Sequence, residues 1–299
     1  MMPAYASLLL CSPTKMVQCG QNYTQGVHLM VLTSTSCPSC GRPMEDAQSA
    51  CEWCGAKQAK LVVTPDRYGD LLVKGIIAAN VIYYLLSLYL SRHRGFSGNP
   101  LSFLSPDQNS LLLLGASGTV PVVELGRFWT LISASYLHGG LLHILFNMMA
   151  LRQIGPWVSS EFGASRMFII YTLSGVTGYL ASCLAGVAFT IGASASVCGL
   201  IGALFFFGKS RGGNYGAAVS REVSGWLVSL VLFGLVMPGI NNWAHGGGIV
   251  GGALLGMLLG YRERRPETGV HRLVANLCLV ATILILIYAA FMTLALRFR

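Results

Sequence analysis

Asn241-Asn242-Trp243-Ala244-His245-Gly246-Gly247-Gly248-Ile249-Val250-Gly251-Gly252, running on as an apolar stretch to Gly260, is where the reading of this chain turns. Gly248, Gly252, Gly256 and Gly260 recur at four-residue steps. Small residues at that spacing form a ridge on one helix face and let a second helix approach closely inside a bilayer. His245 precedes Gly252 by seven residues, two helical turns, so it stands near that ridge. An imidazole there is pressed against whatever helix packs on the glycines.

Working outward, the whole chain suits a bilayer. Of its 299 residues, 54% are hydrophobic and 10% charged, against about a quarter charged in soluble domains. Too few polar groups remain to cover a water-facing surface. A membrane-spanning helix needs about 20 apolar residues. Stretches of that kind lie at about 71–91, 128–151, 166–189, 192–208, 222–239, 243–260 and 273–294. The fold class expected is an all-α polytopic membrane protein with seven spans. Its net charge of +9 does not point to nucleic acid, because the basic residues are scattered among apolar segments instead of forming a patch. They read as topology signals. With the N-terminus inside, 15 of the 20 Lys and Arg fall in inner segments and 5 in outer ones, so the positive-inside rule places the N-terminus in the cytoplasm and the C-terminus outside. The location expected is the plasma membrane.

The N-terminal region reads as three pieces. Residues 1–36 have no sustained periodicity and form either a disordered leader or a start assigned upstream of Met16 or Met30. Ala4 to Cys11 is apolar but lacks a basic region before it, which argues against a cleaved signal peptide. Residues 37–56 carry Cys37-Pro-Ser-Cys40 and Cys51-Glu-Trp-Cys54, each pair followed by a glycine. Four thiolates in two CxxC pairs suit one tetrahedral zinc, and a segment this short needs a metal staple in place of a core. Disulfides are the competing reading, disfavoured in a reducing cytoplasm. A zinc-ribbon-like segment there would act as a docking or regulatory element for a cytoplasmic partner. Residues 57–70 are a polar linker. The segment at about 92–127 is too apolar for a water-soluble loop and is expected to lie in the membrane interface against the bundle.

Polar groups are costly in a bilayer, and three clusters persist. His143 and Asn147, four residues apart in His138-Gly-Gly-Leu-Leu-His143-Ile-Leu-Phe-Asn147, share a helix face. They suit oxyanion donors and, equally, interhelical hydrogen bonds. Gly192-Ala193-Ser194-Ala195 opens the fourth stretch, where free helix amides surround the serine. Close helix packing would also account for those small residues. Asn241 to Gly248 opens the sixth. Charge counting puts all three near the outer ends of their spans, and serine, histidine and oxyanion donors together are an inventory for acyl transfer. Apart from Glu222 at the very start of the fifth stretch, on the inner side, no carboxylate lies in the spans, so a Ser–His dyad fits better than a triad. A channel or transporter more often places ionisable groups at mid-bilayer.

These pieces resemble the rhomboid family of intramembrane serine proteases over residues 70–262. The match rests on His138 to Asn147, Gly192-Ala193-Ser194-Ala195, and Ala244-His245 before the glycines. The resemblance implies a six-helix core over 71–262 with an extra C-terminal helix in 263–299. It implies Ser194 as nucleophile and His245 as general base, with no cofactor for catalysis. His143 and Asn147, with the Ser194 amide, look like the oxyanion hole, and His138 like a structural position. Glu161, Gly163 and Arg166 resemble a structural inner-loop pattern. Transmembrane proteins would be the substrates, cut near the outer face at small residues. The chain departs from the family at Cys198, where an aromatic usually stacks on the histidine, at Ala195 for glycine, and at Trp129-Thr130 for Trp-Arg. An inactive family member that binds membrane-protein clients is the alternative implied.

Overall fold

In a computed structural model the described residues are 66–91, 104–237 and 239–297, together with 42, 51 and 53–55. Cys37, Cys40 and most of the N-terminal region lie outside them. The chain divides into two compact units, residues 1–58 and 59–299. In the first, the amide of Gly55 donates to the Cys51 carbonyl at 2.8 Å, closing a turn with Gly55 at φ +68°. The Arg42 guanidinium lies 4.6 Å from the centre of the Trp53 ring.

The second unit is built of nine α-helices among its described residues: α1 (Arg67–Leu90), α2 (Gln108–Leu113), α3 (Thr130–Ser133), α4 (Leu141–Phe162), α5 (Ala164–Leu184), α6 (Ser194–Arg211), α7 (Gly213–Val236), α8 (Asn242–Leu259) and α9 (Gly269–Arg297). No strand occurs among the described residues, and Ser117 and Thr190 form an isolated antiparallel pair. The protein is an all-α polytopic membrane protein. Four helices, α1, α5, α7 and α9, are long and apolar enough to cross a membrane. The other long ones, α4, α6 and α8, carry the polar and glycine-rich sequences.

Each of the seven apolar stretches contains a long helix, but two boundaries move. The second helix starts at Leu141, not near 128, and runs on to Phe162. Residues 129–140 are instead short turns lying mostly inside the protein, with Leu137 and His138 fully covered, while Phe128 before them is exposed. Hydropathy does not distinguish a run facing protein from one facing lipid. At the other end, Arg152 and Gln153 break the apolar run, but both are exposed on a helix whose Leu151, Ile154, Val158 and Phe162 face the core. The fifth helix likewise begins at Gly213, nine residues before the apolar stretch, because its first turns hold polar side chains.

The glycine ridge packs on α6. A Cβ at Gly252 would sit 1.9 Å from the Gly199 carbonyl oxygen, and one at Gly248 would sit 2.2 Å from that of Ala195. Gly202 of α6 faces the Ile249 carbonyl as closely, at 2.1 Å. The next face of α8 meets α5, where Gly251 would clash with Thr177. Helix α8 is therefore wedged between two neighbours at backbone distance. The segment before α3 also packs inward, through Leu111, Leu114, Ala116 and Val122. Helix α9 joins α1 through the Tyr83 hydroxyl, which donates to the Leu286 carbonyl at 2.6 Å, and meets Trp129 edge-on through Tyr288.

The opposite end of the bundle is closed by charged and polar groups. Arg166, fully buried, donates to the carbonyls of Phe162, Arg265 and Pro266. Glu267 accepts from the Ser165 and Arg166 amides at the start of α5. Arg262 pairs with Asp66 at 2.6 Å, and Asp66 also accepts from Ser159 and from the Gly69 amide at the start of α1.

Candidate active site

Helix α6 opens at Ser194 itself, after Ala193, and the first amides of a helix have no intrahelical carbonyl to bond. The Ser194 N–H is thus free to face an anion. Because α8 lies against α6 through glycines, its first turn brings His245 over that helix start. The Ser194 Oγ and His245 Nε2 are 2.9 Å apart, a hydrogen-bonding distance for a nucleophile and its base. Both side chains are partly exposed. The other ring nitrogen, Nδ1, is buried with no hydrogen-bond partner among the described residues. Among the described residues no third group bonds the imidazole. Cys198 is fully buried one turn further along α6.

His143 lies on the other side of Ser194. Its Nδ1 accepts from the Gly139 amide at 3.3 Å, which leaves the proton of a neutral ring on Nε2. That nitrogen points at Gly192, where a Cβ would lie 2.8 Å from it and 3.7 Å from the Ser194 Oγ. The absence of a side chain at position 192 thus leaves a small space bounded by an N–H donor and by the serine. Asn147, 7% exposed, donates one amide hydrogen to the His143 carbonyl one turn back at 2.9 Å, leaving a second hydrogen. His138 is fully buried with its ring centre 5.0 Å from that of His143, and neither of its nitrogens has a partner among the described residues.

The loop before Ser194 is strapped at several points. The Gly192 amide donates to Ala134, and the Tyr179 hydroxyl donates to the Gly192 carbonyl. Thr190 exchanges backbone hydrogen bonds with Ser117 at 2.8 and 3.0 Å. Gly192 has φ +125°, a region that side chains strongly disfavour. Asn241 ties the base to this loop. Its Oδ1 caps α8 by accepting from Ala244, while its Nδ2 donates to Ser182 at 2.5 Å and to Thr190 at 2.8 Å. Asn241 heads the decisive stretch of sequence but had no role of its own there, and Tyr179 gave no signal. The signal for Asn241 was present as an N-cap residue directly before an apolar helix; its long-range bonds had none.

The four cysteines are covered in part. Cys51 is buried and Cys54 is exposed, three residues apart across the turn closed by Gly55. Among the described residues no group of three His, Cys, Asp or Glu side chains is arranged to hold a metal.

A helical membrane protein with a serine and a histidine in contact at adjoining helix starts is the class these observations define. Its relatives agree. The Rhomboid domain model matches residues 125–262. RHOMBOID-like protein 7 of Arabidopsis thaliana is 30% identical over 223 residues, covering 66% of this chain and 68% of that protein. RHOMBOID-like protein 5 of the same plant is 31% identical over 232 residues, covering 66% of this chain and 69% of that one. Rhomboid protease GluP of Bacillus subtilis (strain 168) is 28% identical over 179 residues, 59% of this chain and 34% of GluP. The chain belongs to the rhomboid family.

Proposed function

We propose that this protein is an intramembrane serine endopeptidase that hydrolyses peptide bonds of transmembrane protein substrates. The observation that carries the reading is the 2.9 Å contact between the Ser194 Oγ and His245 Nε2 at the start of α6. In this reading Ser194 attacks the scissile carbonyl carbon while His245 takes the hydroxyl proton. The oxyanion forms beside the Ser194 N–H and the His143 Nε2–H, with the second Asn147 amide hydrogen in reserve. Collapse expels the amine, which receives the proton from His245. Water, deprotonated by the same imidazole, then releases the acyl group.

Charge distribution supports an N-terminus in the cytoplasm and a site near the outer face, and the proposed location is the plasma membrane. The spacing of Cys37, Cys40, Cys51 and Cys54 supports a structural zinc in the N-terminal unit, serving a cytoplasmic partner. One observation favours the alternative of an inactive member that binds membrane-protein clients, namely a His245 Nδ1 with no partner among the described residues.

The test is cleavage of a generic transmembrane substrate by purified protein in detergent. Wild type should cut, with Ser194→Ala and His245→Ala silent. A wild-type protein that neither cuts nor labels with a fluorophosphonate on Ser194 moves the reading to the client binder.

A further inference from the structure

We propose that α9 is a buttress for the loop that carries the nucleophile, and that Tyr288 is the positioning residue through which it acts. Helix α9 lies beyond residues 125–262, the part of the chain matched by the Rhomboid domain. It is docked along its length. Ala275, Thr282 and Ala289, at seven-residue steps, are buried with Thr293 on its inner face, and small residues there let the helix approach the bundle closely. Two bonds pin it to α1: the Tyr83 hydroxyl donates to the Leu286 carbonyl, and the Arg297 guanidinium to the Leu90 carbonyl.

A run of contacts leads from that helix towards Ser194. The Tyr288 and Trp129 rings meet edge-on, with centres 5.6 Å apart and planes at 87°. The Trp129 ring in turn packs on Gly115: a Cβ there, where φ is +103°, would lie 2.4 Å from the ring's Cζ3. The Ser133 hydroxyl, one turn after Trp129, donates to the Gly115 carbonyl at 2.8 Å. Two residues on, the chain joins the nucleophile loop by four backbone bonds. Ser117 and Thr190 exchange two, the Thr119 amide donates to the Val187 carbonyl at 2.8 Å, and the Val120 amide donates to that of Ala188 at 3.3 Å. Thr190 stands four residues before Ser194.

The stretch from Gln108 to Ser133 needs such support. Its α-helical pieces, α2 and α3, have six and four residues, too few to hold a shape by their own hydrogen bonds. Packing supplies the order instead, and α9, 29 residues long, is the element on which Trp129 rests. Tyr288 thereby biases the strap between residues 117–120 and 187–190, and with it the setting of Ser194 against His245. The consequence for Ser194 rests on the protease reading; the ordering of the strap does not.

The experiment is hydrogen exchange, read by mass spectrometry on the full chain in detergent, beside fluorophosphonate labelling of Ser194. In Tyr288→Ala, peptides covering 115–120 and 187–192 should exchange about 3- to 10-fold faster, the range that an edge-on aromatic pair represents. Peptides from α7 should stay as in wild type, which separates a local opening from general unfolding. Labelling should slow by the same factor. Tyr288→Phe keeps the ring and should match wild type in both readouts, as should Ile287→Ala at the exposed neighbouring position. Trp129→Ala should reproduce the local change, and the double variant should add nothing to it. If Tyr288→Ala does not fold, Tyr288→Leu, which keeps apolar bulk without the ring edge, takes its place. Wild-type exchange at 187–192 in these variants overturns the buttress, as does a full additional loss in the double variant. Faster exchange with unchanged labelling overturns the positioning role of Tyr288. A wild type that never labels, with the exchange pattern as expected, supports the buttress and overturns the protease reading.

Discussion

Gly192 and Asn241 hold the site in complementary ways, one by lacking a side chain and the other by the reach of its own. A methyl group at position 192 would lie 2.8 Å from the His143 Nε2, in the space where an oxyanion would accumulate charge. It would also force an L side chain into φ +125°. Gly192→Ala should therefore lower kcat by roughly 10²–10³, the size seen when an oxyanion donor is lost, with a much smaller change in KM. Wild-type turnover in that variant would remove His143 from the reaction. Asn241 acts at one remove, as a positioning residue. Asn241→Ala loses the α8 cap, worth about 1 kcal/mol, and both side-chain bonds to Ser182 and Thr190. Asn241→Asp keeps the cap acceptor and loses the donors. If the donors set the register between base and nucleophile loop, Asp should restore thermal stability while fluorophosphonate labelling of Ser194 stays slow. Recovery of labelling together with stability would reduce Asn241 to a helix cap.

At the scale of elements, the decisive contact is α8 against α6. Gly252→Ala places a carbon 1.9 Å from the Gly199 carbonyl, which belongs to a helix backbone and has nowhere to retreat. Overpacking of this kind costs about 1–3 kcal/mol and should also part Ser194 from His245. Gly246 lies on the same helix with nothing within 4 Å of its Cβ position. Gly246→Ala should be neutral or gain roughly 0.5–1 kcal/mol from helix preference. Unfolding curves of the two variants in a graded mixture of denaturing and mild detergents separate them, and equal losses would mean that the ridge does not carry the packing. The spacing of Gly248 and Gly252 made that ridge legible before any coordinates. Which helix it met was not legible, because a four-residue step marks a contact face without naming its partner. The same limit explains the misplaced start of α4: residues 128–140 are as apolar as a span but are broken by Gly139 and Gly140 and, after the exposed Phe128, mostly covered by protein. The catalytic candidates were readable because ionisable groups are rare in apolar helices. The strapping by Tyr179 and Asn241 was not, because those bonds join residues 13 to 59 positions apart through side chains that have many ordinary uses.

For the molecule as a whole, the open question of orientation is one of charge. The α4–α5 junction, the end of α6 and the α8–α9 connection meet at one end through Arg166, Arg211, Arg262 and Arg264, each bonded to a group from another of these segments or from the start of α1. Among the described residues the other end holds Arg127, before α3, and Arg297, which bonds the Leu90 carbonyl at the far end of α1. Lys and Arg within short loops resist translocation, so the arginine-rich end should face the cytoplasm. With α1 starting at that end and an odd number of long helices following the apolar stretches, the two termini should lie on opposite sides. A reporter that fluoresces only in the cytosol should be bright when fused before Met1 and dark when fused after Arg299, and a periplasmic or luminal enzyme reporter should give the reverse. Two bright fusions would mean that one of the glycine-rich helices, α4, α6 or α8, enters without crossing. The reverse pattern would invert the molecule and move the Ser194–His245 pair to the cytoplasmic side, where a different set of substrate segments would reach it.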